Sequence, residues 1–176
     1  MGGSTLEQLQ PGTRVFIDSS VLLYHFFHAS DQSRRFLRRC EGRDCTGFTS
    51  AAVLLEVTHR LMAMEAVTSG LLPAGRTVRR LRERPDIIRR LSVYSAQVAE
   101  IPAWGVEVLP IDVGACLRAA DVRQRYGLLT NDSLIVATMR DAGLAAIATA
   151  DADFERVDDL EVFRPTDLGS AAPALA

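Results

Sequence analysis

Short apolar runs alternate with longer amphipathic stretches along this chain. Arg14-Val15-Phe16-Ile17-Asp18 is an apolar run closed by an aspartate, and Ser19-Ser20-Val21-Leu22-Leu23-Tyr24-His25-Phe26-Phe27 continues with helical character, so strand then helix is expected. A second amphipathic stretch opens at an Asp31 cap and closes at Gly42. A strand near Cys45–Thr49 leads into a long apolar helix from Ala51 to Val67. Gly70, Pro73 and Gly75 then punctuate the chain before an arginine-dense segment that reads as two helices divided at Pro85. Val106–Ile111 reads as a strand, and Val113 to Tyr126 as a helix closed by Gly127. A helix opening at Thr130-Asn131-Asp132, a small-residue strand at 144–149 and an apolar run at 160–163 complete the pattern. Strands alternating with helices imply a parallel sheet covered on both faces, an α/β/α sandwich of three layers. The expected organisation is a lead-in over 1–13, one domain over 14–168 carrying an arginine-rich helical segment at 70–104, and a frayed tail over 169–176.

With 176 residues, 48% of them apolar, the chain is long enough to bury a core without disulfides or a structural metal. Its charge is nearly balanced, 20 basic against 22 acidic side chains, but every basic residue is arginine. The absence of lysine excludes P-loops with their phosphate lysine and Schiff-base enzymes. Cys40, Cys45 and Cys116 form no CxxC spacing, so neither a disulfide framework nor a zinc ribbon is suggested. The N-terminal residues show no charged segment followed by an apolar one, and no apolar run reaches the roughly 18 residues of a membrane span. A cytoplasmic protein without a membrane partner is expected.

Ligands in open parallel sheets bind outside the C-terminal strand ends, where a helix start lies on the same edge. Asp18 ends the first strand, Asp151 follows the strand at 144–149, Asp132 stands at a helix start, and Glu56 lies in the second turn of the helix after Thr49. Each has an ordinary structural explanation. The three aspartates could be helix N-caps, and Glu56 could pair with Arg60 one turn on. Their joint placement on one edge favours a shared site, with Ser20, Ser133 and Thr149 available to orient them. Four converging carboxylates need a divalent cation, and oxygen ligands without cysteine select Mg²⁺ or Mn²⁺. His25 and His28 lack a third nitrogen ligand, and His59 fits packing or hydrogen bonding better than general-base work.

At these residues the sequence resembles the PIN-domain nucleases, especially the VapC-like toxins of toxin–antitoxin pairs. The resemblance runs from about Arg14 to Arg164. It rests on Phe16-Ile17-Asp18-Ser19-Ser20, Leu54-Leu55-Glu56-Val57, Thr130-Asn131-Asp132-Ser133-Leu134-Ile135-Val136-Ala137-Thr138 and Ala148-Thr149-Ala150-Asp151-Ala152-Asp153-Phe154. It implies a parallel-sheet PIN-like fold and makes Asp18, Glu56, Asp132 and Asp151 the catalytic, metal-binding quartet. Ser20 becomes the polar helper after the first aspartate, and Asp153 supports the site with a lesser role. The implied activity is metal-assisted hydrolysis of RNA phosphodiester bonds, with one or two Mg²⁺ or Mn²⁺ ions. The implied partners are RNA, an antitoxin protein and a second copy in a homodimer.

Arginine is concentrated at Arg34-Arg35 and Arg38-Arg39, and again between Arg76 and Arg90, where seven arginines face only Glu83 and Asp86. A solvated helix face is one explanation. The other is a phosphate-tracking surface, with Arg34, Arg38, Arg79 and Arg82 as candidate RNA contacts. Apolar Leu71, Leu72, Val93, Tyr94 and Trp104 are either core or a partner surface. Haloacid-dehalogenase phosphatases and response-regulator receivers also carry acidic sheet edges, but both need a lysine that this chain does not have. Two alternatives remain: an RNA-processing nuclease of the same fold outside a toxin–antitoxin pair, and a module of that fold that binds RNA or protein without cutting.

Overall fold

The apolar run that ends at Asp18 becomes the middle of the sheet. In the computed structural model, which describes residues 4–169, strand β2 (Arg14–Ile17) is flanked by β3 (Thr46–Ser50) and β5 (Ala146–Ala148). Two-sided burial explains why Val15, Phe16 and Ile17 read as a continuous apolar run rather than an alternation. Beyond β3 lies β4 (Glu107–Leu109), and beyond β5 lie β6 (Glu161–Arg164) and the edge strand β1 (Ser4–Thr5). The order is β1-β6-β5-β2-β3-β4, and every pairing is parallel. The chain therefore steps outward from β2 to β4, returns across to β5 and proceeds to the other edge. That reversal makes the C-terminal ends of β2 and β5 the switch point of the sheet.

Helices α1 (Ser19–Phe26), α2 (Asp31–Glu41) and α3 (Ala51–Thr68) follow β2 and β3. Next come α4 (Thr77–Glu83), α5 (Pro85–Ile88) and α6 (Val93–Ala103), and α7 (Val113–Tyr126) and α8 (Thr130–Asp141) carry the return to β5. Helices α1, α2, α3 and α6 pack among themselves, and α7 packs on α8. Right-handed crossovers put these two groups on opposite faces, which is the expected three-layer α/β/α architecture of a PIN-like fold. Gly47 in β3 is needed for close packing. A Cβ there would lie 2.9 Å from Ile17 Cδ1 and 3.3 Å from both Cys40 Sγ and Val106 Cγ2. Gly127 closes α7 at φ 67°, the left-handed conformation that glycine adopts without steric cost.

The structure differs from the sequence expectation in three places. Ser4–Thr5 pairs with Phe163–Arg164, and Leu6 and Leu9 are buried, so part of the lead-in completes the sheet and core. A two-residue strand carries no periodicity to read. The cap of α2 is Ser30, whose hydroxyl accepts from Ser33 N, with Asp31 in the first turn. The arginine-rich segment forms three helices rather than two. Pro85 begins α5, as a first-turn proline can, and a second break falls before Val93. The expected frayed tail lies outside the described residues, apart from Gly169.

Glu65 caps the helix that follows that second break. Its buried carboxylate accepts from the backbone N–H groups of Ser92 (2.8 Å), Val93 (3.1 Å) and Tyr94 (2.9 Å), the donors at the start of α6. A second apolar cluster of Ala66, Leu72, Leu81, Ile87 and Leu91 sits beside this joint, so Leu72 is core, whereas Val93 is exposed. Burial pushes the Glu65 carboxyl up, but the three N–H donors outweigh burial and hold it below the usual carboxylate range. A depressed carboxyl stabilises the fold above its unfolded pKa, and that stability is lost as pH falls through the folded value. Glu65→Ala is therefore expected to cost about 2 kcal/mol at neutral pH. Thermal melts of the two proteins should converge as the medium is acidified below about pH 4.

Candidate active site

Three buried apolar residues of β2 carry Asp18 to the end of the central strand, where it is 7% exposed and becomes the N-cap of α1. A carboxylate so placed must be hydrogen-bonded. Asp18 Oδ2 receives the Ser20 hydroxyl at 2.7 Å, the Thr149 hydroxyl at 2.8 Å and Ser20 N at 3.4 Å. The same hydroxyls accept in turn, from Ala150 N at 3.0 Å and Asp151 N at 3.0 Å. Ser20 and Thr149 thus tie the chain after β2 to the chain after β5 through one carboxylate oxygen. The other oxygen, Oδ1, receives only a longer bond from the Ser19 hydroxyl, at 3.3 Å, and keeps capacity for a further ligand.

Glu56 on α3, Asp132 in the first turn of α8 and Asp151 after β5 line the same cleft as Asp18, with a volume of about 320 Å³. Ser19, Ser20, Tyr24, Ile135 and Ala150 complete its described lining. The electrostatics show how crowded the site is. Burial, followed by the charges of Asp151, Asp18, Asp153 and Glu56, pushes the Asp132 carboxyl up to about 6. Burial and Asp18 also raise Glu56, against a hydrogen bond from Ser19 and the charge of Arg60. Tyr24 is raised by burial and then by Asp18. In each case the protein disfavours additional negative charge.

Several candidate residues have roles that differ from the expectation. Asp151 caps the 3₁₀ turn Ala152–Arg156 by accepting from Asp153 N at 2.8 Å, and the Asp153 carboxylate pairs with Arg156. Asp132 is not an N-cap; Leu129 occupies that position. Ser133 turns away from the carboxylates, since its hydroxyl donates to Thr130 O and accepts from Arg123 Nη1 at 3.0 Å. Ser19 does the orienting work expected of Ser133. The arginines lie elsewhere. Arg34 and Arg38 border a groove with His25 and Trp104, while Arg79 pairs with Glu83 on exposed α4, which also carries Arg82. His25 packs edge-on against Phe26 and Trp104, and His59 is exposed. Tyr24 and Ser19 are the cleft residues that sequence reading passed over. The signal for Tyr24 was its spacing of four from Ser20 on one helix face.

The donor set suits a hard cation: carboxylate oxygens alone, in an open cleft. Among the described residues no three His, Cys, Asp or Glu side chains already form a closed metal-binding group. A closed cage is unnecessary for Mg²⁺, which keeps several waters and uses one or two carboxylates. The strongest sign of fit is geometric: Asp18 Oδ1, which keeps capacity for a further ligand, opens on the cleft that Glu56 and Asp132 also line.

A family model of the PIN domain matches residues 15–160, and the chain belongs to that family. Its curated relatives include two proteins of Methanocaldococcus jannaschii. Ribonuclease VapC2 is 24% identical over 153 residues, covering 85% of this chain and 92% of that protein. Ribonuclease VapC6 is 26% identical over 160 residues, covering 86% and 97%. Among solved structures, VapBC2 of Rickettsia felis, bound to a DNA fragment from its promoter, matches with a TM-score of 0.56 at 13% identity, covering 87% of this chain and 99% of that one. The sarcin-ricin loop cleaving toxin VapC20 of Mycobacterium tuberculosis matches with a TM-score of 0.55 at 17% identity, covering 85% and 98%. The structural likeness at these identities establishes the fold.

The raised Asp132 carboxyl has a cost that can be measured without any metal. Between pH 4 and 6 the folded protein holds a proton that the unfolded chain has released, so stability falls as pH rises through that window and levels off above it. Asp132→Asn removes the charge and keeps the shape. In metal-free buffer the variant is expected to be more stable than wild type at pH 7 by about 2 kcal/mol, with the difference shrinking towards pH 4. Denaturant titrations at both pH values measure it.

Proposed function

We propose that the protein is a Mg²⁺- or Mn²⁺-dependent endoribonuclease that acts as the toxin of a toxin–antitoxin pair. The observation that carries this reading is the meeting of Asp18, Glu56, Asp132 and Asp151 in one cleft at the switch point of the sheet. The curated relatives named as VapC ribonucleases support the reaction, and the VapBC likeness supports an antitoxin partner.

Asp18 Oδ1, Glu56 and Asp132 would hold the cation. When bound, the cation neutralises charge on the scissile phosphate and makes water a nucleophile at neutral pH. Asp18 is prevented from turning by Ser20 and Thr149, so its free oxygen is presented in one orientation. Asp151 is the most exposed of the four and uses Oδ1 on Asp153 N, which leaves Oδ2 to orient the attacking water. Arg38 and Arg82, which make no ion pair with another described residue, belong with Arg34 and Arg79 to surfaces that track the RNA backbone beyond the cleft. Exposed Val113 and Leu117, one turn apart on α7, offer an apolar surface for pairing with a second copy. No described helix is long and apolar enough to cross a membrane. A cytoplasmic location fits this reading.

Asp18→Asn retains the size of the side chain and removes its charge. RNA cleavage in Mn²⁺ buffer should fall by at least about a hundredfold while the circular dichroism spectrum is unchanged. Full activity in a folded variant would remove Asp18 from the mechanism. Binding of RNA by wild type without shortening it at saturating Mn²⁺ would favour the binding-module reading.

A further inference from the structure

The cleft offers a phosphate few donors. Its described lining contains four carboxylates and neither arginine nor histidine. The Ser20 hydroxyl is directed at Asp18, the Ser19 hydroxyl is shared between Asp18 and Glu56, and the Ala150 N–H is taken by Ser20. Asp151 N is likewise committed, to Thr149. A phosphodiester entering the cleft carries a negative charge and two non-bridging oxygens that lose water as they approach, and each lost hydrogen bond must be replaced.

Tyr24 is the exception. Its side chain lines the cleft, 8% exposed, and it makes no hydrogen bond to another described residue. Among the described lining residues it is the one side-chain donor not already committed to a carboxylate. Helix α1 places it one turn beyond Ser20 on the same face, and the backbone there is fixed by the bond from Ala29 N to Tyr24 O at 2.8 Å. A neutral phenol also suits this position electrostatically. A guanidinium beside Asp18 would pair with it and compete for the oxygens that a cation needs, whereas a hydroxyl supplies a donor without a charge.

We propose that the Tyr24 hydroxyl donates a hydrogen bond to a non-bridging oxygen of the scissile phosphate, which makes Tyr24 a catalytic residue of this cleft. The inference rests on the nuclease reading above. It assigns the protein's own contact with the reacting phosphate to a residue outside the acidic quartet.

Tyr24→Phe removes the donor and keeps the ring that packs the wall. With an RNA substrate in Mn²⁺ buffer, kcat should fall by about ten- to a hundredfold at an unchanged melting temperature. The decisive comparison uses substrates with sulfur in place of one or the other non-bridging oxygen at the cleavage site, because sulfur is a poor acceptor. In wild type one diastereomer should show an extra loss. In Tyr24→Phe that extra loss should shrink by the same factor that the variant lost on the all-oxygen substrate, as coupling in a double-mutant cycle requires. A variant with wild-type kcat, or with wild-type losses for both diastereomers, would overturn the role of Tyr24 while leaving the nuclease reading intact. Failure of wild type to cleave RNA at all would overturn the nuclease reading and this inference with it.

Discussion

A buried carboxylate at the end of a central strand has to be satisfied, and in this protein the solution organises the whole active edge. Asp18 cannot rest in an apolar sheet without donors. The hydroxyls that satisfy it, Ser20 and Thr149, come from the segments after β2 and β5, the two strands that part at the switch point. Through those two hydroxyls the backbone N–H groups of Ala150 and Asp151 are fixed as well. The position of Asp151 therefore follows from the way Asp18 is held. One carboxylate oxygen serves the fold, and the other keeps capacity for a further ligand.

The neighbouring acids make the opposite contribution. Asp132 and Glu56 are pushed towards protonation, first by burial and then by neighbouring acids, Asp151 and Asp18 foremost for Asp132 and Asp18 for Glu56, so charge on these side chains is disfavoured by the fold. Fold and proposed function are in tension there. The surrounding core resolves it: Val15, Phe16, Ile17 and Ile147 are fully buried and hold β2 and β5 in register whatever the acids prefer. A divalent cation bound there would offset that cost, and Mg²⁺ needs no preformed cage.

Much of this was legible in the chain because the signals were local. The apolar run into Asp18, the small residues of β5 and the Gly127 stop are each read from a handful of neighbours, and they place three of the four acids at strand ends or helix starts. Residues that depend on distant partners were not legible. Glu65 caps the start of α6 from 27 residues away in sequence, and no pattern near Ser92 announces it. Ser133 sits beside Asp132 in sequence, yet its hydroxyl bonds Arg123 of α7. Tyr24 reads as one more apolar position of a buried helix; its spacing from Ser20 hints at the shared face, but the cleft around it reveals a hydroxyl with no hydrogen bond to another described residue. The arginine clusters were visible as charge, but the sheet topology decides that they flank the molecule rather than line the cleft.

On the proposed reading Asp18, Glu56 and Asp132 hold one divalent cation, with Asp151 beside it in the same cleft. Titration calorimetry with Mn²⁺ on the intact protein at pH 7 tests it most directly, without needing the correct RNA. Saturable binding by wild type, weakened at least about tenfold by Asp18→Asn, is the expected result. Absence of binding at millimolar Mn²⁺, or equal binding by the two proteins, would contradict it.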